Sequence, residues 1–326
     1  MDRRPSALTR RIATAGLFGL ATTGLTGGQE PAAPGPETAV PLPEEARLAA
    51  NLLTRMSLDV ELDRRRAGAF VLDTGAERTV VSTELATSLG LPAGPRVMVH
   101  GLTAARIAPT VRIGRAMIAG RTFTGLTAPV FPRADIAADG LIGLDVLSQF
   151  RIEVEMDRRR ISMSVAAAST PFASSGSAGT RLTNQMIGAR RDVSGQLILT
   201  SARANGTPVE AFVDSGAQYS IGNLALRTLL GGQWERLDQT VIKGVTGEIP
   251  VVARGRIADL RLGQHRLGGA EVLFADLHAF STLGLADRPA LLLGADILYR
   301  FRKITLDFGR GQMQFSGLRR AAPGAG

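Results

Sequence analysis

The sequence predicts a mainly β chain in which one domain is repeated in tandem. Three observations carry that expectation. Short β-type runs punctuated by turn residues dominate both halves. Two distant segments align with each other. Two apolar runs each end in Asp-Thr/Ser-Gly-Ala, AFVLDTGAERTVV at 69–81 and AFVDSGAQYSIG at 211–222. With 326 residues, 44% of them hydrophobic, the chain can bury two modest cores, the number of domains its length favours.

The strand signals come in order. MSLDVEL, GAFVLD, RVMVHGL, PTVRIG, LTAPVF and FRIEVEMD occupy the first half, and GQLILTSA, VEAFVD, QTVIKGV, GRIADLRLG and RKITLDF the second. Helical patterning is brief, confined to STELATSLG, IGNLALRTLL and the stretches after Gly143 and Gly294. GLIGLDVLSQFRIEVEMD (140–157) aligns with LLLGADILYRFRKITLD (291–307), sharing Gly143/Gly294, Asp145/Asp296, Leu147/Leu298, Phe150/Phe301 and Arg151/Arg302. Gly143 follows Asp73 by 70 residues and Gly294 follows Asp214 by 80, with Gly101 and Gly244 lying between at 28 and 30. The segment AAASTPFASSGSAGT (166–180) has almost no core-forming residues and reads as the hinge. The expected organisation is therefore a first lobe over 53–165, a linker over 166–190, a second lobe over 191–318 and a tail over 319–326.

The N-terminus reads as a processing signal. A basic start (MDRRPSALTRR) precedes about 14 weakly apolar residues and a small, Pro-rich stretch, giving an export signal over 1–28 and a Pro/Ala-rich linker over 29–52. The apolar part falls short of the roughly 20 residues a membrane span needs. Arg10-Arg11 ahead of it resembles a twin-arginine signal. The expected location is periplasmic or secreted, with transient membrane contact through the signal only.

Composition trims the function classes. The net charge of +9 comes from scattered arginines, without a basic run interleaved with aromatics, so nucleic acid is not an expected partner. Zero cysteines exclude disulfides and a thiol nucleophile. The three histidines, His100, His265 and His278, are not spaced for a metal site, and neither His-Glu-x-x-His nor Gly-x-Ser-x-Gly occurs. No metal or cofactor is expected.

A lone Asp-Thr-Gly is ordinary turn chemistry. Here each copy follows an apolar strand and has its own apolar-apolar-Gly partner, Leu141-Ile142-Gly143 and Leu292-Leu293-Gly294. In these features the chain resembles the retroviral-type and pepsin-type aspartic proteases over roughly residues 55–165 and 192–316. The resemblance implies two acid-protease-like β-barrel lobes related by a pseudo-two-fold, with the apolar-apolar-Gly strand threading beside each catalytic loop. It makes Asp73 and Asp214 the catalytic pair, and puts flaps around Gly101 and Gly244. Neither flap segment carries the Tyr usual in one pepsin-type flap, and the two differ in glycine content, which points to an asymmetric grip.

The residue types suit that chemistry. Two carboxylates about 3 Å apart cannot both ionise, so the pair keeps one proton and titrates as a unit. Such a pair can deprotonate a water and protonate a carbonyl oxygen. Thr74 and Ser215 are short hydroxyls able to bond across to the opposite loop, and Gly75 and Gly216 allow close approach with N–H groups free to face the carboxylates. Asp145 and Asp296 read as helix caps or internal hydrogen-bond partners, and Asp157 and Asp307 as hairpin residues. Lys243 replaces His100 in the second half, so no shared catalytic role is expected there. Trp234 and Tyr219 read as packing residues.

The leading expectation is an aspartic endopeptidase acting on protein or peptide, a monomer whose two lobes complete one site. A homodimer pairing like lobes keeps the same chemistry. The alternative is a non-catalytic module of the same fold that binds peptides or envelope polymers.

Overall fold

The computed structural model describes residues 19–22, 57–158, 160–166, 187–192, 194–232, 234–237 and 240–319. The expected export signal lies outside them except for Gly19–Thr22, a short strand antiparallel to Thr240–Lys243. The 29–52 segment and most of the 166–190 connection also lie outside.

Each half closes into a six-stranded barrel. In the first, the order around the barrel is Ser57–Leu62, Arg65–Leu72, Gly140–Ile142, Val80–Ser82, Arg121–Phe131 and Thr110–Ile118. In the second it is Leu197–Ala204, Thr207–Val213, Ala290–Leu293, Ile221–Gly222, His265–Phe274 and Ala253–Leu262, with the last strand pairing back to the first. The connectivity is the same in both. The first hairpin of each barrel turns through positive-φ residues, Asp63-Arg64 in one and Asn205-Gly206 in the other, the backbone that a tight two-residue connection requires.

The short strand before each repeated Gly sits at the centre of its barrel. Phe70, Val71 and Leu72 pair in parallel with Gly140, Leu141 and Ile142, and Ala211, Phe212 and Val213 with Leu291, Leu292 and Leu293. Both short strands are buried at every position, so they read as continuous apolar runs without alternation. Threading them beside the strands that end in Asp73 and Asp214 fixes where those aspartates emerge.

Antiparallel strands continuous with the second barrel join the halves. Their order is Arg160–Val165, Phe150–Glu155, Phe301–Asp307, Gln312–Leu318 and Ile187–Arg191, and their middle pair crosses between lobes, with Ile152 opposite Leu306 and Val154 opposite Ile304. These side chains alternate with polar ones and enter a core that spans both halves. On the other face Glu153 accepts bonds from Arg151 (2.9 Å) and Lys303 (2.7 Å), which hold its carboxyl below the usual range. Phe301 is fully buried beneath this sheet, 4.9 Å from the Phe315 ring and 5.5 Å from that of His265. Phe301→Ala should cost about 3–5 kcal/mol of stability, read as a lowered denaturant midpoint, because the cavity lies where the lobes are tied together.

Candidate active site

Asp73 and Asp214 each end a barrel strand, and the two loops they open meet across the interface between lobes. The contact is made by the hydroxyls that follow. Thr74 Oγ1 donates to Val213 O (3.0 Å) in the other lobe and accepts from Ser215 N (3.1 Å). Ser215 Oγ donates to Leu72 O (3.0 Å) and accepts from Thr74 N (3.2 Å). This reciprocal clasp gives four backbone groups a partner in the opposite lobe. Gln196 adds a buried donor, its Nε2 bonding the same Val213 O at 3.0 Å.

The clasp sets the carboxylates side by side. Gly75 N donates to Asp73 Oδ1 (2.9 Å), and Gly216 N to Asp214 Oδ1 (2.8 Å). The glycines are required by crowding. A Cβ on Gly75 would lie 2.5 Å from Asp214 Oδ2, and one on Gly216 would lie 3.3 Å from Asp73 Oδ1. Each loop thus packs on the opposite aspartate.

Both aspartates are about 1% exposed, and Asp73 Oδ2 has no hydrogen-bond partner among the described residues. Burial is the main cause of the Asp214 carboxyl rising to about 6, against the pull of the Gly216 and Ala217 N–H groups. Asp73 is raised well above the usual carboxylate range, by burial first and then by the negative charge of Asp214. The pair therefore keeps one proton between its two carboxyls after the first ionisation.

A second pair of carboxylates braces these loops from behind. Asp145 accepts from Thr79 N (2.9 Å) and Thr79 Oγ1 (2.8 Å), and Thr79 Oγ1 in turn accepts from Gly143 N (3.2 Å). In the second lobe Asp296 accepts from Ser220 N (3.0 Å) and Ser220 Oγ (2.6 Å), and Ser220 Oγ accepts from Gly294 N (3.0 Å). Of the two roles expected for these aspartates, internal bonding is the one observed across the loops; the helix N-caps are Gly143 and Gly294. Burial raises Asp145 and brings Asp296 to about 6. Thr79 and Ser220 were not anticipated from sequence, although both lie six residues after their aspartate.

Two hairpins lie over the cleft. The first is Val97–His100 with Ala105–Ala108, and the second is Thr240–Gly244 with Gly247–Pro250. Gly101 begins the first tip and Gly244 the second. The tips touch: Thr103 Oγ1 and Thr246 Oγ1 are 3.1 Å apart, Thr103 Oγ1 also donates to Gly247 O (3.1 Å), and a Cβ on Gly101 would strike Thr246. The shared Gly-x-Thr of GLT and GVT is the signal that marks these threonines. His100 faces the other lobe's His278, while Lys243 pairs with Glu248 at 3.0 Å. Trp234 packs edge-on to Phe274 and Tyr219 against the second core, as packing residues do. Among the described residues no group of three or more His, Asp or Glu is arranged to hold a metal ion.

The family model described as aspartyl protease matches residues 58–146 and again 200–297, one match in each barrel. No curated protein matches the chain.

Raised carboxyl pKa values carry a stability cost. The unfolded Asp ionises near pH 3.9, so as pH climbs from there toward about 6 the native state binds more protons than the unfolded state, and stability falls. Asp214→Asn should raise the melting temperature near neutral pH, by an amount equivalent to ~2–3 kcal/mol. The difference should vanish toward pH 4, as thermal melts across that range would show.

Proposed function

From the premise that the chain belongs to the aspartyl protease family, we propose that it is a single-chain endopeptidase in which Asp73 and Asp214 activate a water against a peptide bond. The observation that carries this reading is the reciprocal Thr74/Ser215 clasp, which sets two buried carboxylates against each other with one retained proton. A binding surface has no use for that arrangement, because burying two mutually repelling acids costs stability without adding a contact.

The chemistry follows from the proton inventory. Ionised Asp214 takes a proton from water as the oxygen attacks the carbonyl carbon, while Asp73 gives its proton to the carbonyl oxygen. The resulting diol collapses when the Asp214 proton passes to the departing nitrogen and a diol proton returns to Asp73. The dyad is regenerated, and the bond has gained one water. The closed hairpins exclude solvent, which strengthens each of these interactions. Beside Gly75, Val80, Val99, Leu102, Phe131 and Leu141 line an apolar recess suited to a non-polar substrate side chain. The export-like N-terminal sequence supports work outside the cytoplasm, and because one chain supplies both half-sites the reading asks only for a monomer.

Cleavage of a diverse peptide library by the purified protein tests the reading. Wild type should cut, and Asp73→Asn and Asp214→Asn should each lose at least ~10³-fold in kcat. If all three are folded and equally inert, a peptide-binding module replaces the enzyme. The rate should also climb through an acid limb near pH 6, where Asp214 ionises.

A further inference from the structure

Both dyad carboxyls are buried under the joined hairpins, so a substrate enters only when the hairpins part. Contacts along its length tie the first hairpin down, including Arg106 Nη1 donating to Val245 O (3.2 Å) and Ala104 N to Thr246 Oγ1 (3.3 Å). Thr103 meets Thr246 across the tips, and Ala279 N donates to Leu102 O (3.1 Å). Another joins His100 Nδ1, at the end of the first hairpin strand, to His278 Nε2, on the short helix His278–Thr282 of the second lobe, at 3.0 Å. The rings lie nearly parallel, 10° apart with centroids 5.3 Å from each other. Among these contacts this one alone joins two imidazoles, the side-chain type that serves as a proton switch.

We propose that His100 and His278 are a positioning pair that latches the first hairpin over the dyad while neutral and releases it on protonation. The hydrogen bonds around His278 fix the direction. Thr282 Oγ1 donates to the His278 carbonyl (3.1 Å), which leaves a lone pair facing His278 Nε2 (3.2 Å). In the tautomer with the proton on His278 Nε2, shared between Thr282 Oγ1 and His100 Nδ1, His100 Nδ1 is an acceptor only while His100 is neutral. A first proton on His278 Nδ1 leaves that bond in place. A proton on His100 Nδ1 replaces the acceptor with a donor and sets two like charges in contact. Burial and the neighbouring His100 hold His278 below the usual histidine range.

The surroundings contain few competing charges. Glu77, Arg78 and Asp214 share the cleft walls with His100. On the paired hairpin strand Arg106 is committed to Val245 O (3.2 Å), Lys243 of the second hairpin is paired with Glu248, and Asp276 before the helix is exposed. Ser194 and Gln196, on the remaining wall, are uncharged. The pair is unique to this side of the cleft, because Lys243 stands where His100 would recur.

The latch takes its purpose from the protease reading, but its movement is measurable without hydrolysis. Hydrogen exchange of residues 97–108 in the full chain, corrected for intrinsic rates, would be compared at about pH 5 and about pH 7.5. Wild type should lose about ten-fold in protection at the lower pH. His100→Gln, which keeps an acceptor that does not titrate, should stay protected at both, and His278→Phe should be open at both. The same pattern should appear in Asp73→Asn, so a wild type that cleaves no peptide yet keeps the pH response would sink the protease reading alone. Protection independent of pH in wild type, or a response that survives His100→Gln, would overturn the latch.

Discussion

Everything in this molecule depends on holding two carboxyl groups next to each other out of water. Burial alone resists ionisation, and a second acid in contact resists it further, so the cleft is a place of stored cost. The Thr74/Ser215 clasp bears that cost by giving each loop hydrogen bonds that only the other lobe can provide. Neither barrel can relax its own aspartate without breaking backbone contacts to its neighbour. The antiparallel strands between the lobes do the same on a larger scale, since pairing 150–155 with 301–307 holds the two lobes together.

The bracing behind the loops explains why the duplication is so faithful at some positions and loose at others. Gly143 and Gly294 pass so close to the Arg78 and Tyr219 carbonyl groups that a Cβ would come within 2.3–2.4 Å. Thr79–Asp145 and Ser220–Asp296 then lock each crossing with the same pattern of donors. Where the structure only has to cover the cleft, the halves diverge, as His100 and Lys243 show. Joining the lobes in one chain permits that divergence, because each hairpin can answer to a different partner.

The sequence made the two loops legible through signals that recur at similar spacing: an apolar strand, a turn residue set, and a distant Gly-x-Asp pair. The barrels followed from the resemblance those signals carry. Other elements were hidden for physical reasons. The strand His265–Phe274 contains Gly268-Gly269, which interrupts its β pattern although Leu267, Ala270, Val272 and Phe274 are buried. The helix His278–Thr282 has five residues and no capping side chain. The contact between His100 and His278 spans 178 residues, and no local pattern reports it.

Protonation acts in opposite senses on the two halves of the proposed cycle. Acid frees the first hairpin but keeps Asp214 neutral, where it cannot accept a proton from water. Base arms Asp214, yet it holds the histidine pair neutral and the cleft shut. The dyad's ordinary aspartates would ionise far below the histidine range, and the two events would then be separated by a wide interval of pH. Burial closes that interval from one side by lifting Asp214 to about 6, near where histidines change charge. The crowding that makes the site costly to fold is thus also what brings admission and chemistry into a common range of pH.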